Sequence, residues 1–413
     1  MENGASRELL SVEAALRRIS AAFEVLPAEQ VTLPDALGRV LASDMAARLT
    51  QPPGPVSAMD GFAVRAMDTK KTPAALRQIG MSQAGRGFDG KVGVGQCIRI
   101  FTGAPIPIGA DAIVIQENTV IDGDTITLDT SVEIGADIRP AGLDFSEGEV
   151  LLKAGKCMTA RDLGLAAAMN IPWLMVRRRP RVAVMATGNE LVMPGEPRSI
   201  NQIISSNSIA LEAYVKVLGG TPINVGIARD NETSLRDALL GAGGADILVT
   251  LGGASVGDFD LVRSVLGQNG LSLNFYKIAM RPGKPLIFGH LNNMAVLGLP
   301  GNPVSAGVTS VIFLRAAIAI MLGLDVNLLP DTAEAVLGRN LPANGTRKDF
   351  MRAKLSSGNH GQLVATPFER QDSAMMASFS EADCLVIRDQ YAPAAKKGEP
   401  VFIVRLDIAA GAF

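Results

Sequence analysis

A chain of 413 residues is too long for one average hydrophobic core, so its length predicts two to four domains. The composition is that of a globular protein, and a net charge of −2 does not favour binding to the phosphate backbone of nucleic acid. Cys97, Cys157 and Cys384 are scattered and form no C-x-x-C pair, which disfavours a disulfide framework or a zinc site and fits a reducing cytoplasm.

The amino-terminal sequence MENGASREL lacks the pattern of a secretory signal, and we expect a cytoplasmic protein. The longest apolar stretch, residues 308–324, carries Arg315 near its middle, so we interpret it as a core helix and expect no membrane span. His290 and His360 are not beside a nucleophile or a carboxylate in the sequence, which argues against a histidine triad. Any chemistry should then depend on carboxylates, lysines, backbone amides and a hard cation.

Two helices and a β-rich unit are predicted in the first third of the chain. Apolar residues recur at helical spacing from Val12 to Phe23, and a second apolar run predicts a helix over residues 36–41. Dense glycines and short strands over residues 98–101, 112–116 and 125–128 are typical of a small β-barrel or sandwich.

Two loops of this β-rich unit carry candidate polar groups. SAMDG ends at Asp60 and Gly61, and FTGAPIPIG contains Thr102. The plain alternatives are a tight turn for the first loop and a proline-stiffened loop for the second.

The segment RPAGLD contains Arg139 and Asp144, for which an ion pair with each other is the plain alternative to a functional role. Further on, Thr159 is predicted to cap a helix that ends near Met169. The three arginines that precede Pro180 predict a solvated linker, and we place a domain boundary there.

Strands and helices alternate after residue 180, which predicts a parallel sheet between helices. Strands are predicted over residues 182–186, 223–228, 247–251 and 294–299, and helices over residues 208–218 and 233–240, up to residue 266, and from about residue 304. Two more strands, over residues 275–278 and 286–288, flank the turn MRPGKP. From residue 328 onward, strand candidates such as residues 384–388 and 401–406 predict a separate small β-rich domain.

Three loops should lie together, because the carboxyl ends of parallel strands open on one edge of the sheet. They are TGNE (187–190), GGAS (252–255) and PGNP (300–303). Where a strand breaks at glycines and a helix follows, unpaired N–H groups suit phosphates and other oxyanions. Together with carboxylates this set suits Mg²⁺. The donors expected at this edge are the carboxylates of Glu190, Asp258 and Asp260 and the amides of Gly253 and Gly301; an N-cap role is equally compatible with Asp258.

Arg281 and Lys284 lie on the turn MRPGKP, which prolines stiffen. Cations on a rigid backbone lose little entropy when they hold an oxyanion, and Lys277 is close in sequence. The alternative is a solvent-exposed hairpin tip.

Seven segments, in this order and at these separations, resemble the molybdopterin molybdotransferases, the MoeA and gephyrin E-domain family: SAMDGFAV, FTGAPIPIGADAIV, R-x-x-G-x-D, TGNEL, GGASVGDFD, MRPGKP and LPGNPVSA. The resemblance covers nearly the whole chain. It implies an α/β multidomain fold and an elongated homodimer. The implied domains are a helical domain (1–46 and 143–178), a β-rich insert (47–142), a doubly wound parallel-sheet pterin-binding domain (179–327) and a small β domain (328–413).

The resemblance further implies Mg²⁺-dependent insertion of molybdate into adenylylated molybdopterin, with release of AMP and molybdenum cofactor. Partners implied besides the small-molecule substrates are a molybdopterin adenylyltransferase and molybdoenzyme chaperones. The catalytic residues carried over from the family's motifs are Asp60, Thr102, Asp144, Glu190, Asp260, Lys277 and Lys284, of which the first three would reach the partner subunit's crevice. The substrate-binding residues are Gly252, Gly253, Ser255, Arg281, Pro300, Gly301, Pro303 and Ser305, and the metal ligands are Glu190, Asp258 and Asp260.

One position departs from the family pattern, because Ser205 stands where many members have Asp. Serine cannot supply that charge, and TGNE in place of TGDE removes another, which leaves Glu190 as the surer acid. A sibling function is molybdopterin adenylyltransferase, which shares the GG-x-S motif, but the extra chain before Arg181 argues against it. A gephyrin-like scaffold is the other alternative, and the chain has neither the long linker nor the fused module of gephyrin.

Overall fold

The structure, a computed structural model, describes residues 9–252, 261–324, 332–358 and 361–406. The predicted site residues Gly253, Ser255, Asp258 and Asp260 lie outside the described residues.

Short strands and two helices make up the chain as far as residue 178. The helices are α1 (Val12–Ser20) and α2 (Ala160–Ala168). The strands are β1 (Ala28–Thr32), β2 (Met45–Ala46), β3 (Val56–Ser57), β4 (Gly61–Val64), β5 (Ala74–Ser82), β6 (Gln96–Ile100), β7 (Ala112–Ile115), β8 (Thr119–Asp122), β9 (Thr125–Leu128), β10 (Ile138–Arg139), β11 (Val150–Leu152) and β12 (Trp173–Arg177).

Both helices begin at a hydroxyl residue, because a side-chain oxygen can accept from an otherwise unpaired N–H of the first turn. The Ser11 hydroxyl accepts from Ala14 N at 3.1 Å. Thr159 forms a capping box with Asp162, as the sequence predicts.

The predicted helix over residues 36–41 is wrong. Only a short 3₁₀ turn, Pro34–Ala36, forms there, and Gly38 follows in a left-handed conformation with φ of +69°. Val40 and Leu41 then form isolated β-bridges and are fully buried. Val40 and Leu41 are therefore buried in an extended segment and not on a helix.

Strands β4 to β9 form a six-stranded sheet in the order β7-β4-β6-β5-β9-β8, which contains the three strands predicted in this unit. Alternate residues of β4 enter two apolar clusters, Phe62 and Val64 one and Ala63 the other. The sheet is thus buried on both faces. A Cβ on Gly61 would lie 2.0 Å from Val114 O, so the glycine of SAMDG is required by the close approach of β7.

The two stretches that enter and leave this sheet unit, residues 47–52 and 142–149, pair with each other; we call them the stem. Gln51 N donates to Phe145 O at 2.9 Å, and Gly142 N donates to Pro52 O at 3.0 Å. One apolar cluster combines residues that precede the insert in the chain with residues that follow it, including Leu41 and Leu174.

The next part of the chain is an α/β unit. Its main sheet has the order β16-β13-β17-β21-β20-β18, in which the first four strands are parallel and β20 is antiparallel to both of its neighbours, β21 and β18. The strands are β13 (Arg181–Thr187), β14 (Leu191–Val192), β15 (Ile203–Ile204), β16 (Thr221–Ala228), β17 (Ile247–Leu251), β18 (Leu271–Lys277), β19 (Met280–Arg281), β20 (Pro285–Leu291) and β21 (Met294–Leu299). The helices are α3 (Ser206–Val217), α4 (Glu232–Gly241), α5 (Leu261–Gln268) and α6 (Pro303–Met321).

Helices cover both faces of this sheet, as in a doubly wound fold. Val182 and Val184 of β13 enter the cluster that contains apolar residues of α1, α3 and α6. Ala183 and Met185 enter the opposite cluster, with residues of α4 and α5. Continuous apolar strands such as β13 and β17 are explained by this two-sided burial.

α6 is the one helix, within the described ranges, that is long and apolar enough to cross a membrane. However, 78% of its apolar window is buried within the protein, and Phe313 and Leu314 are fully enclosed in the core. It packs as a core helix, in agreement with the interpretation from the sequence. A π-helical turn, Ser310–Leu314, interrupts it.

The last part of the described chain forms a sheet in the order β19-β23-β24-β22-β26-β25, to which β19 is contributed by the α/β unit. An additional pairing of β23 with β25 closes five of these strands on themselves. The strands are β22 (Thr332–Leu337), β23 (Lys348–Ser357), β24 (Leu363–Pro367), β25 (Cys384–Arg388) and β26 (Pro400–Arg405), with a short helix, Met376–Ser380.

The predicted solvated linker of arginines is wrong. Arg178 donates to both carboxylate oxygens of Asp246, at 3.0 and 2.8 Å, and Asp246 also accepts from Arg181 N at 2.7 Å. These hydrogen bonds raise the pKa of Arg178. The arginine therefore fastens the α/β sheet to the preceding unit, through a partner too distant in sequence for a charge pattern to reveal.

We expect Arg178→Ala to lower the free energy of unfolding by about 2 kcal/mol, because a half-buried carboxylate loses its charged partner. The control is Arg236→Ala, whose exposed pair with Glu232 should contribute less than about 0.5 kcal/mol. Urea unfolding followed by circular dichroism compares the two variants. Equal losses would contradict the anchoring role of Arg178.

Candidate functional site

The loops after β13, β17 and β21 lie side by side, because these strands are parallel neighbours. A Cβ on Gly252 would lie 2.9 Å from Thr187 Oγ1, and a Cβ on Gly301 would lie 3.7 Å from Gly252 Cα. Gly252 also has φ of +98°, a conformation that favours glycine. Gly252, the first residue of the loop GGAS, therefore lies between TGNE and PGNP on one sheet edge, as the strand order predicts.

The amides at this edge are not equivalent. Gly252 N donates to Leu299 O at 3.1 Å, so this amide is not available to a ligand. Gly301 N has no hydrogen-bond partner among the residues that the structure describes, and Gly301 is exposed. Of these two, Gly301 is the amide that can bind an oxyanion.

The TGNE loop places Glu190 at the edge as an exposed carboxylate. Its side chain folds over Gly188, where an added Cβ would lie 2.4 Å from Glu190 Oε2. Beside it, Asn189 N donates to Asp230 Oδ2 at 3.0 Å, and Asp230 N donates to Asn189 Oδ1 at 3.1 Å. The edge therefore holds a second exposed carboxylate.

Sequence reasoning missed Asp230, although the signal was present. Asp230 follows β16, which is parallel to β13 and opens on the same edge. The rule that brought the other three loops together applies equally to this one.

No group of three or more His, Cys, Asp or Glu side chains in the described ranges is arranged to hold a metal ion. The described part of the edge supplies Glu190 and Asp230. Mg²⁺ needs only one or two carboxylates, because water and phosphate oxygens complete its shell. The donor set thus fits Mg²⁺ in chemistry.

Ser205, at the position where an acid was expected, is buried and presents no group to the edge. Its hydroxyl lies 3.0 Å from that of Ser208, inside the start of α3. Its neighbour Asn207 instead reaches the PGNP loop and donates from Nδ2 to Gly301 O at 2.7 Å.

The C-terminal unit contacts the PGNP loop from the other side. Asn302 Nδ2 donates to Ser373 Oγ at 3.0 Å, and Val304 N donates to Ser373 O at 3.0 Å. Pro300 and Ser305 are buried, and the Ser305 carbonyl accepts from Thr309 Oγ1 at 2.7 Å. Ser305 is therefore part of the packed start of α6, and Ser373 is a neighbour of the site that the sequence did not reveal.

A buried arginine holds the loop that carries Ser373. Arg352 is only 1% exposed and donates to Met375 O at 3.0 Å and to Asp372 O at 2.9 Å. Its burial lowers the pKa of the guanidinium. The contact between the C-terminal unit and the PGNP loop is thus supported from within the small β unit.

The MRPGKP turn is not a free hairpin tip, because it packs against α6. Gly283 is buried with φ of +107°, and a Cβ there would lie 2.4 Å from Thr309 Cγ2. Ile278 N donates to Lys284 O at 3.0 Å, which fixes the backbone of the lysine while its side chain is exposed. Lys277 is half-buried, with Nζ 5.1 Å from the ring centroid of Tyr276.

Arg281 of this turn forms an ion pair with Asp349 on β23. Asp349 is almost completely buried, whereas 55% of the Arg281 side chain is exposed. Burial raises the pKa of Asp349, and the nearby guanidinium opposes that rise.

An apolar cavity of about 310 Å³ opens beside the edge, between α3, α6 and the short helix Met376–Ser380. Its lining includes Asn207, Leu251 and Pro303, which adjoin the loops in sequence or by hydrogen bond, and Phe379. Its size is in the range of small-molecule sites, and an apolar lining with few polar groups suits a flat ring system.

The remaining predicted residues lie on the insert sheet and its stem. The Asp60 carboxylate accepts from Thr102 N at 2.7 Å and from Thr102 Oγ1 at 2.8 Å, and these bonds lower its pKa. Asp144 is exposed on the stem, and no ion pair within the described ranges joins it to Arg139. No hydrogen bond between described residues links these groups to the sheet edge of the same chain.

Three family models match successive parts of the chain. Residues 10–170 match the family model described as the MoeA N-terminal region (domain I and II), residues 183–319 match a probable molybdopterin binding domain, and residues 334–406 match the MoeA C-terminal region (domain IV).

Relatives of similar length share about a third of their residues with this chain. The molybdopterin molybdenumtransferase of Haemophilus influenzae is 34% identical over 91% of this chain and 93% of its own. That of Bacillus subtilis is 33% identical over 92% and 90%, respectively. A crystal structure of a molybdopterin biosynthesis MoeA protein from Pyrococcus horikosii superposes with a TM-score of 0.81 at 30% identity, covering 96% of this chain and 99% of the other. The chain therefore belongs to the MoeA family of molybdopterin molybdenumtransferases.

Proposed function

We propose that this protein inserts molybdenum from molybdate into adenylylated molybdopterin and releases AMP and molybdenum cofactor. The observation that carries the proposal is the common edge of TGNE, the glycine loop and PGNP, with the cationic MRPGKP turn packed on the helix that leaves PGNP. The names of relatives that match over most of the chain support the same reaction.

The substrates are anionic, and the edge offers complementary groups. Lys284 and Arg281 supply exposed positive charge on a backbone that is already fixed, so they can hold molybdate with little loss of entropy. The N–H of Gly301, which has no partner among the described residues, can hold a phosphate oxygen. The neighbouring apolar cavity is suited to the pterin rings, which would place the charged end of the substrate at the loops.

Glu190 is the described carboxylate that we assign to Mg²⁺, with Asp230 beside it and with Asp258 and Asp260 from the part of the loop outside the described residues. When bound, Mg²⁺ supplies positive charge to the adenylyl phosphate. Without such charge molybdate would approach that phosphate less readily, because two anions repel each other. In the overall reaction the phosphoanhydride bond breaks, AMP leaves with an oxygen taken from molybdate, and molybdenum binds the two dithiolene sulfurs.

We assign Asp60, Thr102 and Asp144 to the crevice of a partner subunit in a homodimer. They are exposed polar groups on the insert and its stem, and no hydrogen bond between described residues joins them to the sheet edge of their own chain. The resemblance to the family supports this arrangement, a cytoplasmic location, and an adenylyltransferase and molybdoenzyme chaperones as partners.

The reaction is tested by anaerobic incubation with adenylylated molybdopterin, Mg²⁺ and molybdate, with AMP as the readout. We expect AMP release only when all three are present. Pyrophosphate formed from ATP and molybdopterin would favour an adenylyltransferase instead, and the absence of any molybdate-dependent turnover would leave the scaffold alternative.

Lys284→Ala should raise the KM for molybdate about tenfold or more, because one charge-assisted hydrogen bond to the oxyanion is lost. The control is Lys216→Ala, an exposed lysine at the end of α3 in the same unit. Steady-state AMP release at varied molybdate measures both. An unchanged KM in the Lys284 variant would show that this lysine does not bind the oxyanion.

Thr102→Val should raise the pKa of Asp60 toward its ordinary value, since the hydroxyl donor is lost and only the backbone donor remains. A lowered carboxyl pKa favours the native state above the unfolded pKa, and this contribution is lost as pH falls through the folded pKa. Because the proposed role of Asp60 requires its ionised carboxylate, the raised pKa should also move the acid limb of the activity profile to higher pH in the variant. Thr125→Val, at an exposed position on β9, is the control and should leave the limb in place.

A further inference from the structure

We infer that Asp349 is a positioning residue that orients the Arg281 guanidinium toward molybdate; the inference rests on the proposed function of the MRPGKP turn. Asp349 belongs to the small β unit, so a residue outside the α/β unit would set the geometry of its oxyanion site.

The backbone already brings the two residues together. β19 and β23 pair in parallel register, with Met280 opposite Lys348 and Arg281 opposite Asp349. Lys348 N donates to Ala279 O at 2.9 Å. The turn that carries the cations therefore starts as an added edge strand of the C-terminal sheet.

The side chains of the pair have contrasting surroundings. Asp349 is 2% exposed, and its Oδ2 accepts from Arg281 Nη2, while its buried Oδ1 has no hydrogen-bond partner among the residues that the structure describes. Arg281 is mostly exposed, and a guanidinium has five N–H donors in a fixed plane. Holding one nitrogen on a buried carboxylate restricts the orientation of the guanidinium, and no other hydrogen bond to a described residue occupies its remaining donors, which can bind an oxyanion.

The other cations near Asp349 do not replace Arg281. Arg388 donates to Pro393 O and to Pro342 O, and Arg347 acts on Asp349 only through its charge. Within the described residues, Arg281 is thus the one arginine that hydrogen-bonds to this carboxylate.

Lys348, which precedes Asp349, forms ion pairs with other parts of the chain and provides a control. Lys348 Nζ lies 2.7 Å from Glu13 Oε1 of α1 and 2.9 Å from Asp389 Oδ1, and no side-chain hydrogen bond between described residues joins it to Arg281. Ala279, whose carbonyl accepts from Lys348 N, also donates from its own N to Leu10 O at 2.7 Å. Lys348 therefore fastens the junction of three parts of the chain, whereas Asp349 faces the cation.

The test is direct binding of molybdate, measured by isothermal titration calorimetry on the full-length protein. We expect Asp349→Asn to weaken binding about tenfold, because the neutral amide no longer holds the guanidinium. In the Arg281→Ala background the same change should have no further effect, since Asp349 acts through Arg281. Additive losses, or unchanged binding by the single Asp349 variant, would overturn the inference.

Lys348→Met should lower the thermal midpoint but leave molybdate affinity unchanged, which separates docking of the units from orientation of Arg281. A second variant, Arg281→Lys, keeps the charge and loses the planar fork, so it too should bind about tenfold more weakly. Binding equal to that of the wild type in this variant would also overturn the inference, whether or not Asp349→Asn folds.

These outcomes are distinguishable from failure of the proposed reaction. A wild-type protein that binds molybdate but releases no AMP contradicts the reaction and leaves the orientation of Arg281 supported by the binding series. A wild-type protein that does not bind molybdate contradicts both.

Discussion

Burial of the central parallel strands on both faces is the constraint on which the rest of this structure depends. Because β13, β17 and β21 pack apolar residues above and below, their polar groups can emerge only at the strand ends. The parallel direction then brings three loops to one edge, and Gly252 allows the middle loop to pass close to Thr187. The site is a consequence of how the core is built.

The edge is completed by parts of the chain that are far away in sequence. Ser373 meets the PGNP loop, and Asp349 meets the MRPGKP turn, so the small β unit contacts both loops. Arg352 supports the first contact from inside that unit. The C-terminal unit therefore helps to hold the PGNP loop and the MRPGKP turn in place, and without it Arg281 would lose its ion pair with Asp349.

Periodic apolar patterns and strand order could be predicted from the sequence, because they follow from local residue spacing. β9 and β21 have the predicted bounds, and the cap at Thr159 is present. The helix over residues 36–41 could not be excluded, since only the tertiary structure shows Val40 bridging to Cys157. Likewise, Arg178 and Asp349 have partners 68 residues away, and no local pattern encodes such pairs.

The paired stem of the insert has a mechanical consequence. A domain joined by a single chain segment can rotate freely about that segment. The insert is joined by two hydrogen-bonded segments, so its rotation relative to the rest of the chain would break hydrogen bonds such as that between Gln51 and Phe145. The β-sheet whose strand ends carry Asp60 and Thr102 therefore has a restricted orientation relative to the stem. A sheet held in this way keeps the Asp60 carboxylate in one place relative to the rest of the chain, so little conformational entropy is lost when that carboxylate binds a ligand.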